Sequence, residues 1–116
     1  MAHTLERAIE ADEIVAALRT YGFTQADIAS AVGVTDRAVR DWLHDKPLRR
    51  GNEERLQALR QIVLLLDDSL SRRGVGQWFR AHNRSLGGRR PLDVLAEDDF
   101  DAVRQAAAAV ADGAYV

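Results

Sequence analysis

The chain has 116 residues, with 16 Lys and Arg against 18 Asp and Glu, a net charge of −2 and a pI near 5.9. It has no cysteine, which excludes disulfides and thiolate chemistry. The apolar run over residues 62–66 is far shorter than the roughly 20 residues that span a bilayer. The acidic N-terminal stretch is not a secretory signal, so we expect a cytoplasmic protein with no membrane association. A slightly acidic chain lacks the overall basic footprint of a nucleic-acid binder, and any DNA binding must depend on local clusters.

Helix-forming residues dominate the chain and strand signals are nearly absent, so the predicted fold class is all-α. The first predicted helix covers residues 5–21, because Ile14, Leu18 and Tyr21 share one face. Gly22 is expected to end it.

A pair of short helices is predicted next. Thr24 is a good N-cap for a helix over residues 25–32, and Gly33 then makes a tight turn that favours a positive φ. Thr35 caps a further helix that reaches residue 43 or 44. The spacing resembles the helix-turn-helix of Cro/Xre-type repressors, and seven residues fall on that pattern: Gln25, Ile28, Ala29, Gly33, Val34, Val39 and Trp42.

If this motif reads DNA, its outward residues are the readers. The candidate DNA-binding residues are Gln25, Thr35, Arg37, Arg40 and His44. Arginine forks can contact guanine edges, and Gln25 can hold a phosphate beside a helix N-terminus. The alternative is a solvated face on which Asp36 and Asp41 pair with the two arginines at i, i+4 spacing. A plain helical hairpin also has this length.

A long helix is predicted from Asn52, as N-cap, to about Leu70. One continuous apolar seam runs along it: Leu56, Leu59, Val63, Leu66 and Leu70. Because Ile62, Leu64 and Leu65 add apolar surface on other sides, the helix is interpreted as the hub of the core, as a dimer interface, or as both.

Residues 71–76 are predicted to be a turn, followed by a short helix that carries Trp78 and Phe79. A polar loop, residues 82–90, comes next. Six arginines lie between Asp68 and Asp93 with no intervening acid: Arg72, Arg73, Arg80, Arg84, Arg89 and Arg90. They form either a binding cluster or an ordinary solvated surface.

Two more helices complete the prediction. Pro91 suits the first turn of a short helix with Leu92 and Leu95 inward. Asp98 or Asp99 caps the last helix, whose inner stripe is Phe100, Val103, Ala107 and Val110, and Gly113 takes the left-handed position after it.

The C-terminal half resembles the toxin-binding domain of the MbcA/ParS/Xre antitoxin family, whose partners are RES-domain toxins. The residues that carry the resemblance are Trp78, Phe79, Asn83, Leu86-Gly87-Gly88, Pro91-Leu92, Leu95 and Gly113. It implies an Xre-like helix-turn-helix domain over 1–50 packed on a toxin-binding domain over 51–116. It also implies a type II antitoxin that blocks the active site of a toxin that consumes NAD or transfers ADP-ribose, and that represses its own operon on operator DNA. A homodimer that assembles further with the toxin is expected.

The candidate toxin-binding residues are Asn83, Arg84, Arg89, Arg90, Gly113, Ala114, Tyr115 and Val116. The last two can form an apolar plug that ends in a carboxylate, or Tyr115 can fold back onto Trp78 or Phe79. Asn83 can instead cap the loop backbone.

No pattern indicates catalysis. The three histidines share no ligand spacing, and the glycines at 87–88 lack the lysine and hydroxyl residue of a phosphate loop, so no metal and no cofactor is expected. The alternative to an antitoxin is a stand-alone helix-turn-helix transcriptional regulator whose C-terminal half dimerises.

Overall fold

The computed structural model describes residues 4–113, and over that range the chain is helical, with a single isolated β-bridge between Asn83 and Arg89 and no strand. In chain order the helices are α1 Thr4–Arg7, α2 Ala11–Arg19, α3 Gln25–Val32, α4 Asp36–Leu43, α5 Arg50–Asp67, α6 Arg72–Arg80, α7 Pro91–Ala96 and α8 Phe100–Ala111, with a 3₁₀ turn at Arg84–Leu86 between α6 and α7. The predicted all-α class is confirmed. No helix in the described range is long and apolar enough to cross a membrane.

One hydrophobic core joins the two halves of the chain. Helix α5 lies at its centre and packs against α1, α2, α3, α6 and α8. Its buried side chains are Leu56, Leu59, Ile62, Val63 and Leu66, while Leu64, Leu65 and Leu70 are only partly buried. The predicted seam is therefore right along most of the helix and ends before Leu70, because α5 itself ends at Asp67.

The prediction of one helix over residues 5–21 was wrong. The chain breaks between α1 and α2, and Glu10 occupies the N-cap position of α2 with extended backbone. The carboxylate of Glu13 accepts hydrogen bonds from the backbone N–H of Ile9 at 3.2 Å and of Glu10 at 3.0 Å. These bonds lower the pKa of Glu13 and give the exposed amides at the break a partner within the chain.

The start of α5 also differs from the prediction. Arg49 is the N-cap, and Asn52 lies inside the helix, where its side-chain oxygen accepts a hydrogen bond from Arg55 Nη1 at 3.3 Å. The helix therefore begins three residues earlier than the asparagine signal indicates, although Gly51 and Asn52 are weak helix formers.

Residues 71–76 are not a turn. Ser71 caps α6 by accepting the N–H of Gly74 at 3.0 Å, so both glycines of the stretch are helical. Gly76 lies against the end of α2, and a Cβ atom built there would be 2.3 Å from the carbonyl oxygen of Tyr21. The glycine therefore allows two helices to approach closely rather than turning the chain.

The final helix follows the prediction closely. Asp99 is its cap and accepts the N–H of Ala102 at 3.2 Å, whereas Asp98 has a left-handed φ of 66°. Phe100, Val103, Ala107 and Val110 are all buried. Gly113 follows with φ 72°, as expected after a helix end.

Candidate functional site

Helices α3 and α4 form the predicted helix-turn-helix. Thr24 Oγ1 accepts the N–H of Asp27 at 3.0 Å, and the Asp27 carboxylate accepts the N–H of Thr24 at 2.9 Å, a reciprocal cap that fixes the start of α3. Gly33 ends α3 with φ 84°, and Thr35 Oγ1 accepts the N–H of Ala38 at 3.1 Å to begin α4. Both caps and the turn stand where the sequence predicts them.

The outer face of α4 is polar and its inner face is buried. Val39 is fully buried and Trp42 is 4% exposed, so α4 is fixed to the core from one side. Thr35, Arg37, Arg40 and His44 are exposed on the other, while Gln25, at the start of α3, is half-buried. The structure therefore places the five candidate DNA-binding residues on the helix-turn-helix, four of them exposed.

The predicted pairing of Arg37 and Arg40 with acids is not found. Within residues 4–113, neither guanidinium has a carboxylate within 4.0 Å, although Asp36 and Asp41 lie on the same helix. Both arginines thus keep their hydrogen-bond donors available to an external acceptor.

A contact that the sequence did not suggest ties the helix-turn-helix to the C-terminal half. Arg80, at the end of α6, forms an ion pair with Asp27 and donates a hydrogen bond to the carbonyl oxygen of Gly22 at 2.5 Å. The same Asp27 caps α3, so one carboxylate serves both the local helix start and the contact with α6. Helix α3 also packs against α7. The sequence did not single out Arg80 among the six arginines between Asp68 and Asp93, because spacing alone does not distinguish an arginine that bonds within the fold from a solvated one.

Asn83 organises the loop over residues 82–90. Its side-chain oxygen accepts the N–H of Ser85 at 2.9 Å, and its backbone carbonyl accepts the N–H of Leu86 at 3.0 Å and of Gly88 at 2.9 Å. Its own N–H donates to the carbonyl of Arg89 at 3.0 Å, which closes the loop. The interpretation of Asn83 as a backbone cap is confirmed.

The loop arginines fall into two groups. Arg89 forms an ion pair with Glu97, and Arg90 donates two hydrogen bonds of 2.8 Å to Asp93. This fork lowers the pKa of the Asp93 carboxyl. Arg84 is exposed and has no ion-pair partner among the described residues. It is the loop arginine whose donors are free for a partner.

Aromatic side chains support the loop from below. The ring of Phe79 is buried, with the ring of Phe23 at 5.1 Å and that of Trp78 at 5.0 Å, both edge to face. Pro91 is buried, while Trp78 and Leu86 are half-buried, so these four side chains build the C-terminal module as expected. The candidate residues Ala114, Tyr115 and Val116, and with them the choice between a plug and a folded-back tyrosine, lie outside the described residues.

No group of three or more His, Cys, Asp or Glu side chains within residues 4–113 could hold a metal ion. Tyr21 has a raised pKa, because it is buried and its hydroxyl donates to Asp67 at 3.0 Å. Arg72 stacks over the same ring at 5.2 Å. This cluster joins the ends of α2 and α5 to α6.

The described chain thus consists of a helix-turn-helix followed by a small helical module whose loop is organised by Asn83. Residues 65–113, from the end of α5 to the end of α8, match the antitoxin Xre/MbcA/ParS C-terminal toxin-binding domain.

Whole-chain relatives agree with this match. The chain is 54% identical, over the full length of both proteins, to the probable mycobacterial cidal antitoxin Rv3188 of Mycobacterium tuberculosis. It is 26% identical to the mycobacterial cidal antitoxin MbcA of Mycobacterium bovis, over 91% of this chain and 95% of that protein. The crystal structure of the M. tuberculosis MbcT-MbcA toxin-antitoxin complex contains a similar chain, with a TM-score of 0.76, 26% identity and coverage of 91% of this chain and 96% of that one. The protein belongs to the Xre/MbcA/ParS family and is an antitoxin of a toxin–antitoxin system.

Proposed function

We propose that this antitoxin neutralises a RES-type toxin by binding across its active site with the C-terminal module, and that it catalyses nothing itself. The observation that carries the proposal is the match of residues 65–113 to a toxin-binding domain. The similar chain in the solved MbcT-MbcA complex, where a toxin is the partner, supports the same assignment. The toxin would consume NAD or transfer ADP-ribose.

The geometry suggests which groups meet the toxin. Arg84 is exposed at the tip of a loop that Asn83 holds in one shape, so its guanidinium is presented without a competing acid. An arginine fork suits a carboxylate or a phosphate group. Arg89 and Arg90 are committed to Glu97 and Asp93, and they shape the loop more than they bind a partner.

The C-terminal tip is the second proposed contact. Helix α8 ends at Ala111, and Gly113 adopts a left-handed φ of 72° before the last three residues. Tyr115 and Val116 are apolar and end in a carboxylate, a combination that can enter a pocket built for an anionic nucleotide.

Co-expression with the toxin tests this assignment. The toxin gene is expected beside the antitoxin gene, and its product should arrest growth unless this chain is produced with it. Deletion of Tyr115 and Val116 should leave binding measurable and restore the arrest. Full neutralisation by the truncated chain would exclude the plug, and an arrest that the intact chain does not relieve would exclude the toxin assignment.

We further propose that the helix-turn-helix represses the antitoxin's own operon, with the protein acting as a homodimer. Support comes from Arg37 and Arg40, which are exposed on α4 and free of acidic partners within the described residues. Each bidentate arginine–guanine contact is worth about 1–3 kcal/mol, so their joint replacement by alanine should abolish a mobility shift on the promoter. Arg73→Ala, on the exposed surface of α6, is the control and should leave the shift intact. A promoter that the unmutated protein does not shift, at low salt and with toxin present, would contradict the proposal.

The alternative is a stand-alone transcriptional regulator whose C-terminal half dimerises. It predicts a promoter shift without any toxin and no toxin complex on gel filtration. The antitoxin proposal predicts a stable complex that contains both chains.

A further inference from the structure

Ile9 is unusual among the large apolar side chains of this protein. It is 73% exposed, and no other large apolar residue in the described range is classed as exposed. It lies at the break between α1 and α2, where its neighbours Leu5 and Ala8 are buried. Because the chain leaves the helical path here, Ile9 points away from the core that takes Leu5 and Ala8.

Ile9 borders a cleft with a volume of about 460 Å³. The cleft lies between the α1–α2 break, the loop that joins α4 to α5, and the first turns of α5. Trp42 and Leu56, both buried, form its floor, while Pro47 and Leu48 extend the accessible apolar surface of Ile9 along one wall. Its lining residues all precede residue 65, so the cleft lies outside the matched toxin-binding domain.

The cleft is acidic. Glu10, Asp12, Asp45 and Glu53 line it, and Lys46 is its sole basic lining residue, a formal net charge of −3. None of the four acids forms an ion pair within residues 4–113. An apolar wall inside a ring of unpaired carboxylates repels nucleic acid and attracts cationic side chains.

We propose that this cleft, the Ile9 cleft, is a docking site for a basic amphipathic segment of another protein. An aliphatic side chain of that segment would cover Ile9, and flanking lysines or arginines would meet the carboxylates. The assignment rests on charge complementarity and on the exposed isoleucine, and it is independent of the loop over residues 82–90 and of the DNA-facing side of α4. An apolar cleft lined by charge of one sign favours a partner of the opposite charge and disfavours partners of the same charge.

Trp42, at the floor of the cleft, can report peptide binding through its fluorescence. The chain has two tryptophans, and Trp78→Phe leaves Trp42 as the single tryptophan, with a ring retained at the position that contacts Phe79. The probe is a short helical peptide of lysines with leucine at every third or fourth position. Two control peptides replace its leucines by serine or its lysines by glutamate. We expect a saturable change in Trp42 emission with the first peptide alone.

Variants of the protein then locate the site. Ile9→Ser should lower the affinity for the leucine–lysine peptide about tenfold, because it removes most of the apolar contact while the core stays intact. Glu53→Gln should also weaken binding and reduce its dependence on salt. Glu54→Gln is the matched control, since Glu54 lies next to it, pairs with Arg50 at 3.9 Å and does not line the cleft, and it should bind as the parent does.

Three results would overturn the proposal. Equal binding of the serine–lysine peptide would show attraction by charge alone. Unchanged binding by Ile9→Ser, with an unchanged circular dichroism spectrum, would place the peptide elsewhere. Sedimentation that shows a dimer of the parent chain and a monomer of Ile9→Ser would identify a second copy of this chain as the occupant.

Discussion

The close approach of α6 to the end of α2 makes Gly76→Ala an informative perturbation. The new Cβ would stand 2.3 Å from the Tyr21 carbonyl oxygen, and the two helices would have to separate by at least 0.7 Å to reach the 3.0 Å below which such contacts are essentially absent. The obstacle is backbone, which cannot rotate away as a side chain can. Overpacking of this kind costs about 1–3 kcal/mol.

Gly74→Ala is the matched control, two residues earlier in the same helix. Its Cβ would meet Ser71 Oγ at 3.2 Å, a side-chain atom that can adjust, and Leu70 Cβ at 3.5 Å, an ordinary van der Waals contact. Each variant gains about 1 kcal/mol from the higher helix propensity of alanine, so this gain cancels when the two are compared. We therefore expect Gly76→Ala to be less stable than Gly74→Ala by about 1–3 kcal/mol.

Thermal unfolding followed by circular dichroism measures the difference. For a domain of this size it corresponds to roughly 4–12 °C in Tm. Equal melting temperatures, or a more stable Gly76→Ala, would refute the interpretation of this glycine as a contact residue. Helix propensity alone would then account for the effects of both substitutions.

Three further predictions concern stability and binding. Tyr21→Phe should lower the free energy of unfolding by about 1 kcal/mol in urea, since the hydroxyl donates to Asp67. Because the pKa of Tyr21 is raised in the fold, this contribution is complete below its unfolded pKa of about 10 and is lost as pH rises beyond it. The difference from wild type should thus shrink in alkali, and a difference independent of pH would contradict the mechanism. Asn83→Ala should lower both Tm and toxin affinity, whereas Arg84→Ala should lower only toxin affinity, as measured by calorimetric titration. Equal losses of Tm would contradict the assignment of a loop-organising role to Asn83 and a toxin-contacting role to Arg84. Arg60→Met removes bonds to two carbonyls of α1, at 3.0 and 2.7 Å, and should speed amide exchange in α1 without changing that of α5.

Local chemistry explains why much of the fold could be predicted. Thr24, Thr35 and Asp99 cap helices because a short side-chain oxygen reaches the free N–H groups of the first turn, a relation that depends on residues three apart. Gly33 has a positive φ for an equally local reason. The inner stripe of α8 follows from helical periodicity, which needs no knowledge of what the stripe contacts.

The errors arose where tertiary contacts decide. Two glycines so close together in residues 71–76 suggested a turn, yet Gly76 is helical because Tyr21, far away in sequence, lies against it. The break at Ile9 depends on a glutamate in the N-cap position, an uncommon choice that propensity does not favour.

The candidate site divides in the same way. Sequence spacing located the loop and the exposed face of α4, but it could not separate arginines that bind acids within the fold from arginines that do not. Arg80 resembles Arg84 in sequence context, and only the folded chain shows that the first is occupied by Asp27.

The contact between Arg80 and Asp27 has a consequence for exchanging parts between related antitoxins. A hybrid that joins the N-terminal half of one protein to the C-terminal half of another would take the two members of this pair from different parents, and would also assemble α3 on a foreign α7. Such hybrids should fold with fewer defects when the residues at both positions, and those facing each other between α3 and α7, are transferred together. An exchange of the C-terminal half therefore has to include the residues of α3 that contact it, and the two halves cannot be treated as independent parts.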